Sequence, residues 1–183
     1  MKRQNILILT ECACMLALAT ILSFVKIFQL SFGGTVTLCS MVPIIYLSFN
    51  RPLKWVLTTS IAYGLIQMLA SFYAPPTKTF MSFLAVILLD YIIAFGILGL
   101  AGSIGKFFKG TAGIIKGTTA AIVGRFLCHF ISGIVVWGVY APEEQSVFVY
   151  SLLYNGSYML AELLISLIAL FAISKTVKRR DNG

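Results

Sequence analysis

Six apolar segments fill most of this chain, and their length is the strongest constraint on how it can fold. They lie at about 6–27, 36–49, 55–73, 80–103, 113–139 and 147–174. A hydrocarbon core of about 30 Å takes about 20 helical residues to cross. Water is absent there, so a segment must satisfy its own backbone N–H and C=O groups, which favours helices. The second segment is short and is entered through Gly33-Gly34. The breaks fall at Gly33-Gly34, Asn50-Arg51-Pro52, Pro75-Pro76, Lys106 to Lys109 and Ala141-Pro142-Glu143-Glu144. Glycine, proline and charge clusters of this kind punctuate helices. The pattern predicts an all-α integral membrane protein with six transmembrane helices in one domain spanning residues 1–183. Only 11% of the 183 residues are charged, against about a quarter in a soluble domain. The spans use nearly all of the chain and leave no room for a soluble catalytic domain.

The net charge of +8 raises the question of nucleic acid, but the positions of the charges answer it differently. With the N-terminus inside, cytoplasmic segments carry Lys2, Arg3, Arg51, Lys54, Lys106, Lys109, Lys116, Lys175, Lys178, Arg179 and Arg180. The opposite side keeps Lys26 and Lys78, beside the acidic Glu143 and Glu144. This asymmetry follows the positive-inside rule and predicts both termini in the cytoplasm of a cell-membrane protein, with no nucleic-acid partner. The start of the chain has a basic then apolar character, but Glu11 interrupts the run and no clean small-residue cleavage site follows. It reads as an uncleaved first membrane helix.

Catalytic and metal signatures are weak. Cys12, Cys14, Cys39 and Cys128 lack metal-ligand spacing, and Cys12 and Cys14 point to different faces of a helix. One histidine, no HExxH and no Gly-rich Lys-Ser/Thr phosphate loop argue against a hydrolase, a metal centre or an ATPase. No cofactor is expected. In the first helix, Ala13 and Ala17 are four residues apart, a smooth stripe for close helix packing. Gly96, Gly99 and Gly102 form a second small-residue face, read as internal packing.

The polar residues within the spans are the functional signal, because ionisable groups in a bilayer are costly and tend to line pathways or binding sites. Helical rise gives their depths. Asp90 and His129 both fall roughly 15 Å from the outer face, Asn155 roughly 12 Å and Tyr150 about 5 Å. Trp137 lies near the outer rim. Arg125, His129, Gly133 and Trp137 recur every four residues, with Gly133 leaving space between the two rings. Deeper, Arg125 and Glu162 both fall about 21–22 Å down, and an ion pair between the fifth and sixth helices is expected. A buried Asp with no Lys or Arg at its depth favours a cationic guest, as do Trp and Tyr faces. Asn and His can read the donor and acceptor edges of a heterocycle.

Two stretches, Arg125-Phe-Leu-Cys-His-Phe-Ile-Ser-Gly-Ile-Val-Val-Trp137 and Tyr150-Ser-Leu-Leu-Tyr-Asn-Gly156, carry a His-x7-Trp-x12-Tyr-x4-Asn spacing. With Leu89-Asp90-Tyr91 and the Gly33-Gly34 loop before Met41-Val-Pro43, the chain resembles the thiamine-specific S components of energy-coupling factor (ECF) transporters over nearly its whole length. The resemblance implies a substrate-binding membrane subunit, not an enzyme, that takes thiamine from outside. It implies partners too: a transmembrane coupling subunit contacting the Ala13/Ala17 stripe, and two cytoplasmic ATPases that consume the ATP. It further implies that Asp90 faces the thiazolium charge and that His129 and Trp137 stack on the rings. Tyr150 and Asn155 would bind the aminopyrimidine, Tyr91 would help at the hydroxyethyl end, and Tyr73 is a further candidate. A first-loop position that holds Trp in some members is Gly34 here.

The residues by themselves leave a second reading open, a stand-alone proton-coupled transporter using Asp90, His129, Arg125 and Glu162 as a relay. Inverted-repeat halves, common in such carriers, are not evident.

Overall fold

The computed structural model describes residues 3–181, with side chains as far as Ser174. Lys2 and the side chains of Lys175, Lys178, Arg179 and Arg180, counted above for orientation, lie outside the described residues. The chain runs α1 (Arg3–Phe24), β1 (Lys26–Gln29), β2 (Thr35–Thr37), α2 (Val42–Asn50) and α3 (Leu53–Ala70). It continues through α4 (Phe80–Gly105), α5 (Thr111–Val135) and α6 (Val147–Asp181). Among the described residues, five helices are long and apolar enough to cross a membrane: α1, α3, α4, α5 and α6 up to Ser174.

Two expectations need correction. The fold is mostly helical, but not all-α: β1 and β2 form an antiparallel hairpin with Lys26 opposite Thr37, Phe28 opposite Val36 and Gln29 opposite Thr35. The second apolar segment therefore starts as a strand. The helix it becomes has nine residues, about 13 Å of rise, too short to span alone. The physical reason is local. Thr35-Val36-Thr37 is β-branched throughout, and Pro43 is accommodated only in the first turn of α2. Between the strands the backbone turns over Ser31–Gly33, with Phe32 at φ 62° and Gly33 at φ 102°.

Helix ends also fall inside their expected limits. Leaving α3 at Ala70 places Tyr73 in an extended connection, and ending α5 at Val135 places Trp137 in the following turn. Within α4, a π-helical stretch covers Ile87–Ile93 and carries Asp90 and Tyr91. Such widened turns are found mostly at functional sites. A 3-10 stretch follows at Ile97–Leu100.

The core gathers where α2, α3, α4, α5 and α6 meet: Ile44, Ile45, Val56, Leu98 and Ala121 are fully enclosed. Gly102 allows the α4 backbone to lie against α2, and its N–H donates to Ser48 Oγ at 2.8 Å. Gly99 packs on Ser60 of α3. The glycine face of α4 is thus used for internal packing, as expected. Ala13 and Ala17 lie on the exposed side of α1, opposite the buried Cys12 and Ala19.

Candidate functional site

Two facing rows of side chains build the site. On α5 and the turn after it, Arg125, His129, Gly133 and Trp137 follow one another at four-residue intervals. On α6, Tyr150, Tyr154, Tyr158 and Glu162 do the same. Residues so spaced share a helix face, and all eight line one cavity of about 150 Å³. The π segment of α4 closes another side with Asp90 and Tyr91, and the hairpin lies across it with Phe32, Gly34 and Thr37. Tyr73 also lines this space.

Asp90 is the organising group. Its Oδ1 accepts from His129 Nδ1 at 3.0 Å. Its Oδ2 accepts from Ser132 Oγ at 2.7 Å and from Trp137 Nε1 at 3.1 Å. On the other ring nitrogen, His129 Nε2 receives Arg125 Nε–H at 3.3 Å. A neutral imidazole with its proton on Nδ1 satisfies both bonds at once. Three neutral donors therefore fix the carboxylate without cancelling its charge. Trp137 also stacks with Tyr140 at 6.3 Å, and Tyr140 stacks with Phe32 of the hairpin turn at 4.1 Å. An anion beside a wall of aromatic faces suits a flat cation.

Several side chains expected at the ligand are already engaged. Asn155 Nδ2 donates to Ser151 O at 3.0 Å and reaches His129 O at 3.3 Å, while its Oδ1 accepts from Tyr158 Oη at 2.9 Å. Asn155 thus ties α6 to α5. The Tyr91 hydroxyl donates to Ser71 O at 2.9 Å and holds the connection after α3. Tyr150 is half-buried and stacks on Tyr154 at 5.9 Å. Gly133 lines the cavity, and it also lets α6 approach: a Cβ there would come 2.9 Å from Asn155 Nδ2.

The expected Arg125–Glu162 ion pair is not formed. Among the described residues the ion pairs are Arg51–Glu11 and His129–Asp90. Instead, the Arg125 guanidinium lies 3.9 Å from the centre of the Phe95 ring. Glu162 Oε1 accepts from Thr37 N at 2.6 Å and Thr37 Oγ1 at 2.7 Å. Depth alone suggested the pairing. The hairpin strand, absent from that reasoning, supplies the donors that hold Glu162.

Sequence reasoning missed Ser132, Phe32, Tyr154, Tyr158 and Thr37. The four-residue recurrence from Tyr150 to Glu162 was the available signal for two of them. Tyr154 reaches the hairpin: its Oη accepts from Gly34 N at 3.0 Å and donates to Ser31 O. Gly34 is needed for this approach, since a Cβ there would come 2.9 Å from Tyr158 Cδ1.

The thiamine transporter protein family model (Thia_YuaJ) matches residues 9–181. The chain belongs to this family. It is similar to thiamine transporter ThiT of Bacillus subtilis (strain 168), at 33% identity over 190 residues, covering 97% of this chain and 95% of that protein. ThiT of Lacticaseibacillus paracasei is 38% identical over 95 residues, 44% of this chain and 45% of that protein. A solved structure of ThiT from Listeria monocytogenes superposes with a TM-score of 0.79 at 21% identity, covering 97% of this chain and 98% of that one. The last comparison speaks to the fold: the hairpin-plus-helices arrangement is that of a thiamine transporter family member. Membership and five apolar helices make this a membrane protein.

Proposed function

We propose that this chain is the thiamine-binding S component of an ATP-driven ECF-type uptake transporter. The observation that carries the reading is the Asp90 carboxylate, held by His129, Ser132 and Trp137 inside an aromatic-lined cavity. Thiamine is a flat, two-ring monocation. Its thiazolium charge would be met by Asp90, and its rings by the faces of His129 and Trp137. The curated relatives are named as thiamine transporters, which supports the same ligand.

The rest follows from charge distribution and surface. Both termini are cytoplasmic, which puts the hairpin and the cavity mouth on the outside. Thiamine enters past the hairpin, which then closes through Phe32 on Tyr140 and Tyr154 on the Gly34 and Ser31 backbone. The exposed Ala13/Ala17 stripe receives the coupling subunit. ATP is consumed by two partner ATPases.

Uptake by proteoliposomes tests this. The chain reconstituted with a coupling subunit and ATPases should accumulate thiamine only when ATP is supplied. Accumulation by the chain alone, driven by a proton gradient, would overturn the reading and favour a relay along the Arg125–His129–Asp90 chain.

A further inference from the structure

The hydrogen bonds around Asp90 leave the deep end of the cavity unexplained. Glu162 lies 12 residues beyond Tyr150 on α6, about 18 Å further along the axis. It is 3% exposed, and its Oε2 has no hydrogen-bond partner while Oε1 takes both Thr37 donors. Buried carboxylate oxygens are seldom left unpaired, because the loss of hydration is uncompensated. Arg125 lines the same cavity, and Nε to His129 is its one hydrogen bond among the described residues. The floor therefore holds an acceptor without a donor and a guanidinium with N–H groups to spare.

The charge of the whole cavity adds a second constraint. Its charged lining residues are Asp90, Glu162 and Arg125, two carboxylates and one guanidinium, a formal net charge of −1. A monocation makes the filled site neutral. A phosphate ester of the same cation brings about −1.5 to −2 on its phosphoryl group at neutral pH. Such a guest would leave the enclosed site with excess negative charge, which is costly at low dielectric.

We propose that Glu162 is the specificity-determining residue of a floor subsite that accepts the free alcohol of the ligand and rejects its phosphate esters. A hydroxyl can donate to Glu162 Oε2 and accept from an Arg125 N–H. A phosphoryl dianion can only accept, and it meets a second carboxylate. The inference rests on the thiamine reading above.

The test is a competition titration of the detergent-purified full chain with thiamine and with thiamine monophosphate. Wild type should prefer thiamine by about a hundredfold or more, the size expected when like charges are brought together in a closed site. Glu162→Gln keeps an oxygen for Thr37 and removes the charge, and should cut that preference to about tenfold or less. A wild type that binds both ligands within about threefold overturns the floor subsite and leaves the thiamine reading standing. So does a Glu162→Gln variant that binds thiamine with the preference unchanged. If the variant does not fold, the wild-type ratio decides by itself. A wild type that binds neither ligand overturns the thiamine reading and this inference with it.

Discussion

Replacing Asp90 by Asn removes one charge and almost no volume, so its effect on binding isolates the electrostatic role of the site. The carboxylate accepts three hydrogen bonds, from His129 Nδ1, Ser132 Oγ and Trp137 Nε1. An amide has only one oxygen, so one of the donors on Oδ2 would meet an N–H group. Ser132 can rotate its hydroxyl; the indole N–H of Trp137 cannot turn away. The larger loss is Coulombic. Two unit charges about 4 Å apart attract by about 4 kcal/mol at an effective dielectric constant of 20. That corresponds to roughly a thousandfold in Kd. Isothermal titration calorimetry with thiamine on the purified variant should show this weakening, while Asp90→Glu, which keeps the charge, should lose far less. Asp90→Asn binding within tenfold of wild type, in a protein of unchanged thermal stability, would refute the assignment of Asp90 as the cation's partner.

Two further outcomes follow from the contacts. Tyr154→Phe removes the hydroxyl that holds Gly34 N and Ser31 O. At about 0.5–1.5 kcal/mol per neutral hydrogen bond, thiamine should dissociate up to about tenfold faster with little change in association, read by stopped-flow fluorescence. An unchanged dissociation rate would mean that the hairpin does not retain the ligand. Ala13→Trp places a bulky ring on the exposed α1 stripe, away from the cavity. Thiamine affinity should stay within about twofold in calorimetry, while ATP-dependent uptake in proteoliposomes falls to background; normal uptake would remove this face from the partner interface.

The long helices were legible because length and hydropathy suffice to identify them. The α5 row was legible because a His and an Arg stand out in an apolar segment. Tyr154 and Tyr158 did not stand out, since an aromatic ring in such a segment reads first as packing. The hairpin was hidden for a different reason. Strands of three and four residues within an apolar run have too few positions for an alternating period to be separated from a helical one. That omission propagated to Glu162. Axial depth placed it level with Arg125, but depth carries no information about which way each side chain turns, or about a strand inserted alongside. Asn155 shows the converse: it lies at the site as expected, yet its amide is spent on Ser151, His129 and Tyr158. Asp90 remained legible throughout, because the α4 carboxylate and the His and Trp of the α5 row were matched in depth and proved to be bonded.

The central claim, that thiamine occupies the cavity around Asp90 and Trp137, is tested most directly by fluorescence. The chain has two tryptophans, Trp55 and Trp137, and only Trp137 lines the cavity. Titrating the detergent-purified protein with thiamine should give saturable quenching with one site per chain, and the quenching should vanish in Trp137→Phe. Quenching that persists in Trp137→Phe, or no response to thiamine in a wild type that is folded, would contradict the account.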